Sequence, residues 1–321
     1  MTLTSLAASV VLAALVLGGC GVAVDRRATA REAEAEAEYP PIGQIIEVEG
    51  TKIHAFVEGQ GPDLILLHGA SGNLRDFTFS LSHALARDFR VIAFDRPGLG
   101  WSDDLGAAGV SPMEQARVLQ AAARQLGVRN PVVLGHSYGG SVAMAWALTD
   151  PETAGLVLVS GATMPWPGGL GSWYDITASR LGGATVVPLI TAFAGEGRAQ
   201  AAVEGIFAPD AVPAGYKDYV GAGLTLRRDS LRINARQVNG LKPYLQMMAP
   251  NYAKLTLPVE IIHGTADTIV PAKVHAIPLS KLLPDANLTL VEGAGHMIHQ
   301  AHPDIVLAAV ARVAARVAAG N

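Results

Sequence analysis

The chain is poor in several things, and each shortage excludes something. It has one cysteine, Cys20, in 321 residues, so no disulfide can form within it. Charge is sparse, with Asp, Glu, Lys and Arg at 16% of residues and a formal net charge of -4. No stripe of Lys or Arg would track a phosphate backbone, and nucleic acid is not an expected partner. The His-Glu-x-x-His pattern common in zinc hydrolases is absent. No Lys or Arg precedes the first apolar run, although export signals normally open with positive charge. What is plentiful is apolar residues, 50% of the chain, with 35 Gly and 19 Pro. That composition suits one good-sized globular domain carrying an inserted subdomain.

Leu3 to Val24 is almost wholly apolar and small, the length of an export signal or a single membrane anchor. Its end, Leu17-Gly18-Gly19-Cys20, resembles the Leu-x-x-Cys box of bacterial lipoproteins, whose cysteine is diacylated and becomes the mature N-terminus. Gly18, Gly19 and Gly21 supply the small residues that such cleavage needs. Residues 1–24 are therefore read as a signal, lipoprotein or anchor segment with Cys20 as the lipidation site. An uncleaved anchor, an ordinary signal and a buried structural helix are the other readings. The lipoprotein reading puts the rest of the chain outside the cytoplasm, held to a membrane through this segment only, and leaves no free thiol in an oxidising compartment. Residues 25–42, with Ala-Glu repeats from Ala33 to Glu38 and then Pro40-Pro41, read as a flexible, solvated linker.

From residue 43 the pattern changes. Gln44–Val48 and Lys52–Val57 flank Glu49-Gly50-Thr51 and predict an antiparallel hairpin. Short apolar runs follow at Leu64–His68, Val91–Phe94, Val132–Gly135, Leu156–Val159, Val259–His263 and Leu288–Val291, as in parallel strands covered on both faces. Helix-like segments lie between most of them, including Pro112 to Leu126, which opens on Ser111 as a cap. Strands alternating with helices predict a doubly wound, mostly parallel α/β sheet of eight strands. One interval breaks the rhythm: from about 161 to 252 no strand is expected, and apolar helical stretches alternate with Gly and Pro breaks. This reads as a mainly helical cap inserted in a domain spanning 43–321. Its Trp166 and Trp173 are expected to pack.

The chemistry concentrates in Gly135-His136-Ser137-Tyr138-Gly139. A Gly-x-Ser-x-Gly stretch between a β run and a helix presents a serine on a sharp turn, where neighbouring side chains would collide with strand and helix. A serine hydroxyl needs a base and an orienting carboxylate. Asp267 follows the run that ends at His263, and His296 follows the run that ends at Val291. Both therefore reach the strand ends where Ser137 sits, in the order Ser, Asp, His. His296, His299 and His302 recur every third residue, but Pro303 would disturb a helix displaying all three. No metal and no cofactor is expected.

These segments, with His68-Gly69-Ala70-Ser71-Gly72 and Asp95-Arg96-Pro97-Gly98-Leu99-Gly100-Trp101-Ser102, resemble the capped serine-hydrolase branch of the α/β-hydrolase fold superfamily from about Ile45 to Val313. The resemblance implies Ser137 as nucleophile, His296 as general base then acid, and Asp267 as the orienting carboxylate. It also implies an oxyanion hole from the backbone N–H groups of Tyr138 and Ala70. Asp95, Ser102, His68 and His136 are expected to order nearby backbone. Serine at the elbow separates the chain from family members that use aspartate there. The expected reaction is hydrolysis of a moderately hydrophobic carboxylic ester. Lactone, amide, perhydrolase and carbon–carbon bond chemistry remain open, as does a non-catalytic ligand-binding module.

Overall fold

Eight strands form one sheet in the computed structural model, which describes residues 3–320, with side-chain surroundings from Gly19 onward except at Glu196 and Gly320. They are β1 (Gln44–Val48), β2 (Thr51–Glu58), β3 (Asp63–Leu67), β4 (Arg90–Phe94), β5 (Val132–His136), β6 (Gly155–Val159), β7 (Val259–Gly264) and β8 (Ala286–Val291). The order across the sheet is β1-β2-β4-β3-β5-β6-β7-β8. Only β2 runs against its neighbours, and β3 to β8 are parallel.

The continuous apolar runs are explained by two cores. In β3, Ile65 and Leu67 join one core and Leu64 and Leu66 the other, so neither face of the strand meets water. A helix at Pro112–Gln125 and another at Tyr138–Thr149 cover the first face through Leu119, Val142 and Trp146. The C-terminal helix, Pro303–Gly320, covers the second through Val306, Val310 and Val313. The expected cap at Ser111 is present: its Oγ accepts from Glu114 N–H at 3.3 Å, with Pro112 at the first helical position.

The inserted segment is helical, at Ser172–Ala178, Arg180–Phe193, Glu196–Phe207 and Arg228–Met248, with short turns between them. Val203, Phe207, Tyr216 and Val220 form a small core of its own, joined by Met297 from the main domain. Trp166 packs against the main core as expected, whereas Trp173 is 53% exposed and does not.

The N-terminal stretch differs from its sequence reading. One helix runs unbroken from Leu3 to Glu38, through Cys20, and its second half lies on the cap. Residues 25–38 are therefore docked helix, not a flexible linker. The Ala-Glu alternation has no apolar stripe, but small residues allow close approach: Ala28, ahead of the alternation, and Ala35 within it are buried, and Ala35 faces Gly223. Its charges are paired, with Glu32 accepting from both Arg228 N–H and guanidinium and Glu36 from Arg227 at 3.0 Å. Those partners lie nearly two hundred positions away, beyond any local reading. The side chains of residues 1–18 lie outside the described residues, and with them most of the apolar run.

Candidate active site

Ser137 sits where β5 turns into the helix Tyr138–Thr149, with φ 53° and ψ -120°, a backbone state that side-chain-bearing residues rarely adopt. Three backbone bonds hold the turn. Ser137 N–H donates to Val159 O at 3.0 Å, and Ser137 O accepts from Gly140 at 2.9 Å and Ala162 at 3.0 Å. The flanking glycines have no substitute, because a Cβ on Gly139 would be driven into the Leu67 carbonyl and one on Gly135 into the Gly139 backbone. The serine is thus pushed to the parallel strands' carboxyl ends, onto a helix N-terminus whose first N–H groups have no partner within the helix.

The loops after β7 and β8 bring the other two residues. His296 Nδ1 is 2.7 Å from Asp267 Oδ2, while Asp267 Oδ1 accepts from the N–H groups of Ile269 and Val270, both at 2.9 Å. The loops touch, since a Cβ on Gly264 would meet the carbonyls of Ala294 and Gly295. Burial alone would raise the Asp267 carboxyl. The hydrogen bonds from His263 and His296, the charge of His296 and the Val270 N–H outweigh it and hold Asp267 well below the usual carboxylate range. Asp267 is therefore ionised and acceptor-only, and by accepting from Nδ1–H it fixes that ring nitrogen as the donor and leaves His296 Nε2 free of it.

Ser137 and His296 both line a cavity of about 300 Å³ whose far wall is the cap, through Ala199, Ala202, Val203, Ile206 and Leu226. Gly69 closes the near side, where an added Cβ would stand 3.0 Å from Ser137 Cβ. The Gly69 carbonyl is held by Arg96 Nη2 at 3.1 Å and His68 Nδ1 at 2.8 Å. In a trans peptide the Ala70 N–H points opposite to that carbonyl.

A model of the alpha/beta hydrolase fold matches residues 62–303. The chain belongs to the α/β-hydrolase family. The polyketide synthase ThaQ of Burkholderia thailandensis is 32% identical over 91% of this hydrolase, which spans only 14% of the synthase. A 2-hydroxy-6-oxo-6-phenylhexa-2,4-dienoate hydrolase of Burkholderia cepacia is 32% identical over 38% of this chain and 42% of its own length. The crystal structure of the esterase RhEst1 from Rhodococcus sp. ECU1013 is similar with a TM-score of 0.67 at 25% identity, covering 85% of this chain and 98% of that one. The hydrolase is thus an enzyme of a family whose members act on ester and similar bonds.

The three histidines that recur in sequence go to separate carboxylates. His296 is with Asp267, His299 Nε2 donates to Asp76 Oδ2 at 2.9 Å, and His302 Nε2 to Asp210 Oδ1 at 3.1 Å. The three residues that recur in sequence do not converge on one point. Asp76, His136 and His299 do offer ligand atoms within 4.8 Å of one another. The Asp76 oxygens already accept from His299, from Tyr216 OH at 2.8 Å and from Gln300 at 3.3 Å, whereas among the described residues the buried Nδ1 atoms of His136 and His299 have no hydrogen-bond partner. Asp95 and Ser102 order backbone in the hydrolase, as expected: Asp95 accepts from Leu74 and Trp101 N–H and pairs with His54, and Ser102 accepts from His54 N–H.

Sequence reasoning missed three residues that shape the site. Arg96 is fully buried and, among the described residues, has no carboxylate partner; burial pulls it down to about 10, and it fans over His68 O, Gly69 O, Gln115 and Gln237 with the Tyr138 ring 4.2 Å away. Asp76 and Asp210 were equally silent, one in an exposed-looking polar stretch and one inside the cap. Their only signal is three aspartates matched by three histidines spaced along one segment.

Proposed function

We propose that the hydrolase cleaves carboxylic esters through an acyl-enzyme on Ser137. The observation that carries this is the Asp267–His296 pair at 2.7 Å, opening with the strained Ser137 onto one apolar cavity. Ser137 Oγ attacks the ester carbonyl carbon as His296 Nε2 takes its proton, and Asp267 stabilises the imidazolium. The N–H groups of Tyr138 and Ala70 donate to the oxyanion; Tyr138 begins a helix, and the Gly69 carbonyl is turned to Arg96. Collapse breaks the C–O bond, and His296 returns the proton to the leaving alcohol. Water, deprotonated by His296, then adds to the acyl carbon, and Ser137 leaves with the proton.

A cavity of about 300 Å³ with an apolar cap wall favours a compact, moderately hydrophobic acyl group. The likeness to the hexadienoate hydrolase supports a second reading, cleavage of a carbon–carbon bond by the same groups. Initial rates on p-nitrophenyl esters of graded chain length, beside lactones, amides and a vinylogous diketone acid, test both. The ester reading predicts the largest kcat/KM on short or medium acyl esters, with an acyl adduct on Ser137 by mass spectrometry. A preference for the diketone acid would replace it with the second reading.

We propose further that the N-terminal helix holds the enzyme at a membrane outside the cytoplasm, with Cys20 as the lipid site. In support, Cys20 is exposed. The helix also lies against a part of the cap that displays Leu181, Leu189 and Phe193 to solvent. Among the described residues no single helix is long and apolar enough to cross a membrane. Fractionation of Cys20→Ser cells tests the lipid: release from the membrane supports it, and unchanged attachment with an unprocessed N-terminus contradicts it.

A further inference from the structure

We propose that Asp210, a cap residue, is a positioning residue for the His296 imidazole, so that the general base is in register only while the cap is seated. The proposal rests on the triad reading above. His296 is carried on a segment that the cap grips at three points. Asp210 Oδ2 accepts from the N–H of Gly295, the residue before His296, at 2.7 Å. Its other oxygen accepts from His302 at 3.1 Å, so one carboxylate bridges both ends of the segment. Gly295 has no room for a side chain, since its Cβ would stand 2.9 Å from Phe207 O and nearer still to Ala208 O. Met297, the residue after His296, is 3% exposed and belongs to the cap core with Val203, Phe207, Tyr216 and Val220.

The main domain holds the same segment too, through Asp267 on the His296 ring at 2.7 Å and Ala266 N–H on Ala294 O at 3.0 Å. His136 Nε2 donates to His296 O at 3.3 Å, and His299 reaches Asp76. The N–H before the imidazole and the side chain after it both answer to the cap. On the backbone beside the imidazole, the charge-assisted bond from Gly295 N–H at 2.7 Å is a stronger tether than the 3.3 Å bond from His136 to His296 O. Losing it frees the backbone that sets the imidazole, and displacement by about 1 Å can cost on the order of a hundredfold in rate.

The test is a double-mutant cycle on the full chain, using the ester that wild type turns over fastest. Asp210→Ala is expected to lower kcat by about 10- to 100-fold, with KM changed by less than about threefold and the fluorophosphonate labelling rate falling in parallel. Asp210→Asn keeps an oxygen for Gly295 N–H and is expected to recover most of the loss. In a His296→Ala background, Asp210→Ala should change the residual rate no further, which a merely structural role would not predict. Wild-type kcat in Asp210→Ala, or an undiminished further loss without His296, overturns the proposal. If Asp210→Ala fails to fold, Asp210→Ser, whose hydroxyl is too short to reach Gly295, carries the same predictions. If wild type itself does not label, the triad reading has failed, and the proposal falls with it.

Discussion

At the scale of single residues, the site is a division of carboxylates among imidazoles. Asp267 takes His296 and two backbone N–H groups, leaving the ring one tautomer and one free nitrogen. Replacing it by Asn keeps the shape but offers an amide N–H to Nδ1 and favours the wrong tautomer. Asp267→Asn is expected to lower kcat by roughly 10³- to 10⁴-fold with little change in KM, measurable on any turned-over ester. Asp76 bears on stability instead. Burial would raise its carboxyl, but the charge and hydrogen bond of His299, with His136 and Tyr216, hold it well below the ordinary range. A depressed folded pKa stabilises the fold above the unfolded value, about 3.9, and that contribution is lost as pH falls through the folded value. The melting-temperature gap between wild type and Asp76→Asn is therefore expected to be level above about pH 5 and to shrink below about pH 4. A gap that widens on acidification would contradict the assignment.

At the scale of elements, the strands were the easiest part to read. Val132–Gly135 and Val259–His263 each fall within one residue of β5 and β7, because a strand buried on both faces is an uninterrupted apolar run. The elbow was legible for a related reason, since few contexts other than a strand-to-helix crossing with no lateral space require glycine on both sides of a serine. Gly139→Ala tests this, and is expected to cost about 3 kcal/mol or more in denaturant unfolding because the new methyl meets the fixed Leu67 carbonyl. Residues 25–38 were misread because local composition describes only half of a contact. Ala28 and Ala35 look featureless until Gly223 faces one of them, and Glu32 looks solvated until Arg228 arrives. Arg96 was invisible for the same reason: every group it binds comes from a different part of the chain.

At the scale of the whole molecule, the N-terminal helix, the cap and the His296 loop are in contact one after the other. The helix is fixed to the cap through Arg227 and Arg228, and the cap to the His296 segment through Asp210 and Met297. Removing the first link should loosen only the helix. Arg228→Ala is expected to speed tryptic cleavage at Arg26, Arg27 or Arg31 by about tenfold, as loss of a charged hydrogen bond of about 1.4 kcal/mol implies, while the main melting transition stays put. Equal cleavage rates would show that the arginine does not hold the helix. The central claim is that the strained serine over this pair of loops is an activated nucleophile, and labelling with a fluorophosphonate probe tests it most directly. Folded wild-type protein should acquire one adduct, located on Ser137, and folded Ser137→Ala none. Wild type left unlabelled, or Ser137→Ala labelled as fast as wild type, would contradict the account.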